Sequence, residues 1–293
     1  MTASGEPAAP AAMATMQGRR AARIRRGTAV SLLFGAAVIA VVSLAAAGAD
    51  VLAPAPPHTI ALEQGLGAPG SSHLLGQDKL GRDVLARLMH GARVSLGVAS
   101  ATVLLSVVIG VAVGSIAGFA GGRLDFWLMR IVDVLMAFPG LLLAIALAAA
   151  LGPGIGNVVL ALSVIGWTGY ARVSRAEVMA LRGREHVEAA IALGAPPWRV
   201  LLRHVLPLTI SPLLVQAVFG MAGAVVAEAS LSFLGLGVQP PTPSWGSMLA
   251  DGRSFLIEAP HLTVAPGLAI TSLVLALNLL GDGLRDLLDV RMR

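Results

Sequence analysis

The residues able to do chemistry are few and scattered. The 293 positions hold sixteen Asp and Glu, twenty-one Lys and Arg and six His, but no cysteine, which excludes thiolate nucleophiles, thiolate metal sites and a disulfide framework. His58, His73, His90 and His261 fall outside the apolar segments, and none has a companion ligand at metal-site spacing, so they read as surface histidines. HExxH and GxSxG are both absent, which argues against a membrane protease. A phosphate-binding loop needs GxxxxGK followed by Ser or Thr, and the sole lysine, Lys79, is in no such setting. The chain therefore cannot be its own ATPase. Three features remain. Glu228 stands in an apolar stretch, where an ionisable group is a functional hypothesis by default, either contacting a solute or serving as a packing or gate-hinge residue, the second being favoured. Asp133 lies one helical turn from Arg130 and is placed to pair with it. The third is a charged segment between residues 172 and 207.

The elements that must hold these residues follow from composition. Hydrophobic residues make up 56% of the chain and charged ones 13%, with a mean hydropathy of +0.81, whereas a soluble domain carries about 25% charged residues. Aromatic residues are only 4%, so the apolar mass is small and aliphatic side chains in long continuous runs. These runs fit an all-α integral membrane bundle and not a barrel, whose strands would alternate apolar and polar residues. The net charge of +5 is explained by where the arginines sit relative to the apolar runs, and implies no nucleic-acid partner.

Read along the chain, residues 1–27 form a basic tail without periodicity, expected to be disordered and cytoplasmic. An uncharged stretch over 28–49 is about 30 Å long as a helix and reads as a first span, with a cleaved signal peptide as its rival. Residues 50–92 form an external, periplasmic segment ending in KLGRDVLARLMHGA. There Leu80, Val84, Leu85, Leu88 and Met89 recur at helical spacing, and Arg82, Asp83 and Arg87 are expected to face away in a short amphipathic surface helix. The remainder, 93–281, holds five further spans. These run from Val94 to about Phe119, about Phe126 to Leu151 with an interruption at Pro139, Val158 to Ala171, about Leu208 to Leu236 and about Leu262 to Leu280. Gly110, Gly114 and Gly118 at four-residue steps predict a close helix contact. Residues 282–293 form a polar tail.

Six spans put both termini on one side, and cations tend to stay inside. With both termini cytoplasmic, the inner segments hold sixteen Arg, and the outer ones hold Lys79, Arg82, Arg87, Arg93 and Arg253. The segment 172–207 is then cytoplasmic. It contains EHVEAAIALGAPPWRVLLRHVLP, in which Glu185 to Leu193 read as a helix, Gly194 as its stop and Pro197 as an early position of the next helix.

Glu188, Ala189, Ala190, Gly194, Leu206 and Pro207 in this order resemble the EAA signature of ABC importer permeases. HLLGQDKLGRDVLARLMHGARVSL at 73–96 and EASLSFLGLGVQPPTPSWG at 228–246 resemble stretches of dipeptide, oligopeptide and nickel permeases, specifically the second (C-type) subunit of each pair. His204, where the broader signature has an aliphatic residue, and Leu208, where Asn is more usual, depart from the pattern.

The resemblance implies a type I importer transmembrane domain in the bacterial inner membrane. It also implies a second permease, two ATPase subunits that bind ATP-Mg, and an extracytoplasmic solute-binding protein. The six signature residues would lie at the ATPase-coupling contact, and this chain would hold no cofactor or metal and catalyse no reaction. A secondary transporter or channel working without ATPases is the rival reading, and a membrane enzyme the second. The solute stays open: di- or oligopeptide, nickel complex or another small molecule.

Overall fold

Cooperative helix formation in the apolar runs dominates the architecture. The structure, a computed structural model, describes residues 30–288. The expected tail over 1–27 and the last five residues of the chain lie outside them. Among the described residues the only bridged backbone is an isolated pair, Gln77 with Asp83, and everything regular is helical.

Helix α1 (Val30–Ala47) is followed by a mostly irregular segment with two short helical turns and then by α2 (Val84–Ala120), 37 residues long. The bent pair α3 (Gly122–Met136) and α4 (Gly140–Leu151) comes next, then α5 (Ile155–Arg182) and the short α6 (Glu185–Ala192). The chain continues through α7 (Pro197–Phe233), α8 (Trp245–Gly252) and α9 (His261–Leu288). Helices α1, α2, α7 and α9 are long and apolar enough to cross a membrane, and α3 with α4, bent by 85°, supplies a fifth span if the pair counts as one. The bend falls at Pro139, as the sequence indicates, because proline cannot continue the hydrogen-bond ladder.

The glycine steps work as expected, and α5 is their partner. A Cβ on Gly110 would stand 2.5 Å from the Trp167 carbonyl oxygen, and one on Gly118 would stand 2.7 Å from that of Arg175. Gly114 lies between them against the Ala171 carbonyl. The two backbones thus approach with no room for a side chain, and Ser115 and Ser174 hydrogen-bond at 2.8 Å across the same seam. Helix α5 opens with Asn157, whose amide donates to the Leu151 and Gly152 carbonyls at the end of α4 and so occupies acceptors the helix terminus leaves free. At the C-terminal end of α1, Arg93 donates to the Ala46 and Ala47 carbonyls at 3.0 and 3.1 Å and to Asp50 at 3.0 Å. Arg93, with His90 behind it, holds the Asp50 carboxyl below the usual carboxylate range.

Three element boundaries and one orientation differ from the sequence reading. The fourth span does not stop at Ala171, since α5 runs on to Arg182 as an exposed, charged helix end. The polar tail from 282 is helical at its start, because α9 carries its helix through Leu288. No separate surface helix precedes the second span, because Asp83 caps α2 by accepting from Ala86 N at 2.8 Å and the helix continues unbroken to Ala120. Arg82, Asp83 and Arg87 do not face solvent but are 7%, 3% and 4% exposed.

The reason for the last difference is a network that one helix's periodicity cannot reveal. Asp78 accepts from Arg82 Nε at 2.6 Å and from the Leu80 and Arg82 backbone amides, and lies 3.5 Å from Arg87 Nε. Asp251, at the end of α8, lies 3.6 Å from both arginines and accepts from Lys79 at 2.8 Å. Asp83 is turned to His73, whose Nδ1 is 2.8 Å away. Helix α8 covers the polar face of α2, and Trp245, 2% exposed, donates its indole N–H to the Leu88 carbonyl at 2.9 Å.

Candidate functional site

Two regions concentrate the residues singled out above. The first is the segment after α5. Helix α6 ends at Ala192 with Leu193 as its cap, and Gly194 adopts φ +82°, a left-handed conformation that glycine enters without steric cost. A Cβ there would meet nothing within 4 Å, so the turn needs glycine for its backbone angle and not for space. Pro197 takes the first turn of α7, which passes through a π-helical turn at Leu201–Val205 and a 3-10 turn at Leu206–Thr209 before becoming regular. Such departures from α geometry are frequent at functional sites.

A small core fixes this segment to the bundle. Val187 and Ala190 of α6 pack with Val178 and Leu181 of α5 and with Val200 and Val205 of α7. The outward face is apolar as well: Ile191 is 50% exposed, Leu193 89% and Trp198 61%, and Arg199 lies 5.4 Å over the Trp198 ring. Of the signature residues, Glu188, Ala189 and Gly194 share that exposed side. Ala190 is turned inward, 8% exposed, and Leu206 and Pro207 sit at the root of α7, where they line a cleft together with Val107 and Val111 of α2. Leu193 and Trp198, the largest exposed surfaces of the knuckle, are ones that motif reasoning passes over. Their signal was available as large apolar side chains in a segment otherwise dense in charge.

The second region is the bundle interior. Glu228 is fully buried and accepts from Ser95 Oγ at 2.9 Å and Ser232 Oγ at 2.7 Å. Ser95 also accepts weakly from the Trp245 backbone amide at 3.4 Å, so the carboxyl links α2, α7 and α8. Asp133 does not pair with Arg130. It accepts from Arg172 of α5 at 2.6 Å, while Arg130 lies 5.2 Å over the Phe126 ring. A second bridge in the same groove, Asp125 with the Arg175 guanidinium, is bidentate. These two pairs hold α3 against α5, and the sequence hid them because spacing along one helix says nothing of the neighbour alongside. His73, His90 and His261 have partners in the structure: Asp83, Asp50 with the Ala86 carbonyl, and a weak contact to the Gln77 carbonyl. Among the described residues no group of three or more His, Cys, Asp or Glu could hold a metal ion.

Comparison with known proteins agrees with this geometry. Residues 110–293 match the family described as binding-protein-dependent transport system inner membrane component. The chain is 45% identical over 225 residues to a glutathione transport system permease protein of Pectobacterium atrosepticum, covering 77% of this chain and 75% of that one. It is 46% identical over 220 residues to a di/tripeptide transport system permease protein of Pseudomonas aeruginosa, with 75% and 73% covered. A dipeptide transport system permease protein of Alkalihalophilus pseudofirmus is 41% identical over 228 residues, with 78% and 75% covered. With an apolar helical bundle and a protruding knuckle already in place, these matches settle the assignment: the chain belongs to the family of binding-protein-dependent transport system inner membrane components, as a membrane-embedded permease subunit.

Proposed function

We propose that this chain forms half of the translocation path of an ATP-driven importer for di- or oligopeptides or a related small solute. A second permease completes the path, two ATPase subunits hydrolyse ATP, and an external binding protein delivers the solute. The observation that carries this reading is the exposed apolar knuckle of Ile191, Leu193 and Trp198, mounted on a rigid core shared by α5, α6 and α7. An apolar protrusion has no use in water by itself, whereas it suits a groove on a partner. Glu188, Ala189 and Gly194 flank it, and Ala190, Leu206 and Pro207 set its attachment. Closure of the ATPases would then swing the knuckle and carry α5 and α7 with it as a rigid body. Glu228, Asp133 and the Phe126-stacked Arg130 are packing residues in this reading, and none is a solute ligand.

The bundle crosses the membrane six times in this reading, as α1, α2, the α3–α4 pair, α5, α7 and α9. Helix α5 is apolar only over its first half, and its buried Val158, Ala161, Leu162 and Ala171 lie against other helices, so it needs less lipid-facing surface than its neighbours. Both termini are cytoplasmic, as the distribution of arginine requires. A reporter active only outside the membrane is expected to work when fused after residue 70 or 250 and to be silent after residue 190. Strong activity at 190 would invert the topology.

Reconstitution tests the function itself. The purified chain alone in vesicles is expected to move no peptide, with or without ATP, and uptake is expected once the second permease, the ATPases and the binding protein are present. Gradient-driven uptake by the chain alone would make it a secondary transporter. Uptake that needs the ATPases but no second permease would make it a homodimer.

A further inference from the structure

Between α2, α4, α5 and α7 lies a cavity of about 260 Å³. Its wall is mostly apolar and carries no Asp, Glu, Lys or Arg, but it includes Thr102, Ser106, Tyr170 and Gln216. Thr102 and Ser106 are 4% and 1% exposed, and among the described residues neither hydroxyl oxygen has a hydrogen-bond partner. A serine or threonine within a helix readily bonds the carbonyl one turn back, and neither does so here. Leaving a buried hydroxyl unpaired costs about 1–3 kcal/mol, so two such groups on one cavity wall, four residues apart on α2, need an explanation.

Glycines keep the space open. A Cβ on Gly166 would stand 2.6 Å from Ser106 Oγ, and one on Gly220 would collide with the Tyr170 hydroxyl. Gln216 also lines a larger cleft of about 740 Å³, walled by Val173, Glu177, Arg184, Phe219 and Arg285 among others. The cavity and the cleft therefore adjoin at Gln216, beside which the Tyr170 hydroxyl donates weakly to the Gln216 carbonyl at 3.4 Å. The charged residues of the cleft belong to the side assigned above to the cytoplasm, so the cavity lies deeper in the bundle than the cleft, with Gln216 in the wall of both.

We infer that Thr102, Ser106, Tyr170 and Gln216 form a solute-contact site within this subunit, which binds uncharged hydrogen-bonding groups such as the main-chain amides of a peptide in transit. The chemistry selects that occupant. A lipid chain would suit the apolar wall but would leave both hydroxyls unpaired, and a charged peptide terminus would need a counter-charge that the lining lacks. A main-chain amide offers both a donor and an acceptor, needs no counter-charge and is common to peptides of any sequence. The inference rests on the permease reading above and adds to it where the solute is held.

The absence of cysteine makes the test direct, since Ser106→Cys or Thr102→Cys introduces the only thiol of this subunit. The complete complex, with the variant permease, is reconstituted in vesicles and first assayed for uptake of dialanine and trialanine. It is then treated with a charged, water-soluble methanethiosulfonate reagent, and labelling of this subunit is followed with and without saturating trialanine and binding protein during ATP turnover. The expected result is labelling at both positions, slowed at least fivefold by the peptide, with uptake lost in the modified complex. In a separate variant, Ser106→Ala with Thr102→Val, the half-saturating peptide concentration is expected to rise at least fivefold. Failure of the unmodified complex to import either peptide would overturn the permease reading for peptides, and this inference with it. Uptake with no labelling at either position would show a dry packing defect, and labelling that trialanine does not slow would show a water pocket; either result overturns the inference alone.

Discussion

Asp78→Ala is expected to destabilise the complex by about 3–5 kcal/mol, the usual cost of removing one partner from a buried ion pair. Asp78 is 5% exposed and accepts from two backbone amides and from Arg82 Nε, with Arg87 Nε a further 3.5 Å away. Its loss would leave Arg82 and Arg87 facing each other with only the more distant Asp251 as counter-charge, and one nitrogen of Arg87, Nη1, already has no partner among the described residues. Since whole domains are stable by only about 5–15 kcal/mol, thermal denaturation followed by size-exclusion chromatography of the solubilised complex should show the loss plainly. Lys79→Ala is the matched control. Lys79 reaches the same network through Asp251, but its side chain is 41% exposed, so the cost should stay below about 1 kcal/mol. Equal melting of the wild type and Asp78→Ala would show that the network does not hold the outer face together.

Leu193→Asp is expected to reduce peptide-stimulated ATP hydrolysis at least tenfold and to lower the amount of ATPase subunit that copurifies, while membrane insertion and permease pairing persist. The side chain is 89% exposed, so nothing within the chain depends on it. In a partner's groove the same position would lose about 1.5–3 kcal/mol of apolar burial and force a carboxylate out of water. Activity as in the wild type with Leu193→Asp would remove Leu193 from the docking contact.

The four long apolar helices and the bent α3–α4 pair were legible because a run of apolar residues has one stable state in lipid, a helix, and its ends are marked by Gly121, Pro139 and Gly152, whereas α5, expected as the fourth span, is apolar over only part of its length. The knuckle was legible for a related reason, since Gly194 and Pro197 act through their own backbones and need no distant partner. What depended on distant partners was hidden. Arg82 and Arg87 read as solvent-facing because periodicity separates a polar from an apolar face without saying whether Asp251 waits opposite the polar one. Asp133 pairs with Arg172, 39 residues away, and not with the neighbour one turn back. Thr102 and Ser106 gave no signal at all, because single hydroxyls in an apolar helix look like ordinary small residues until the cavity beside them is seen.

The unbroken course of α2 has a consequence for how the two faces of the membrane communicate. At 1.5 Å per residue its 37 residues make a rod of roughly 55 Å, well beyond the hydrocarbon thickness of about 30 Å. Its outer end is clamped by the aspartate–arginine network, and its inner half lies backbone to backbone on α5 through Gly110, Gly114 and Gly118. The glycine contacts and the Ser115–Ser174 hydrogen bond couple the two helices closely along this seam. A tilt of about ten degrees at the outer clamp displaces the inner end by roughly 10 Å over that length. In the proposed importer, a tilt at one end of α2 would thus reach the other end by leverage.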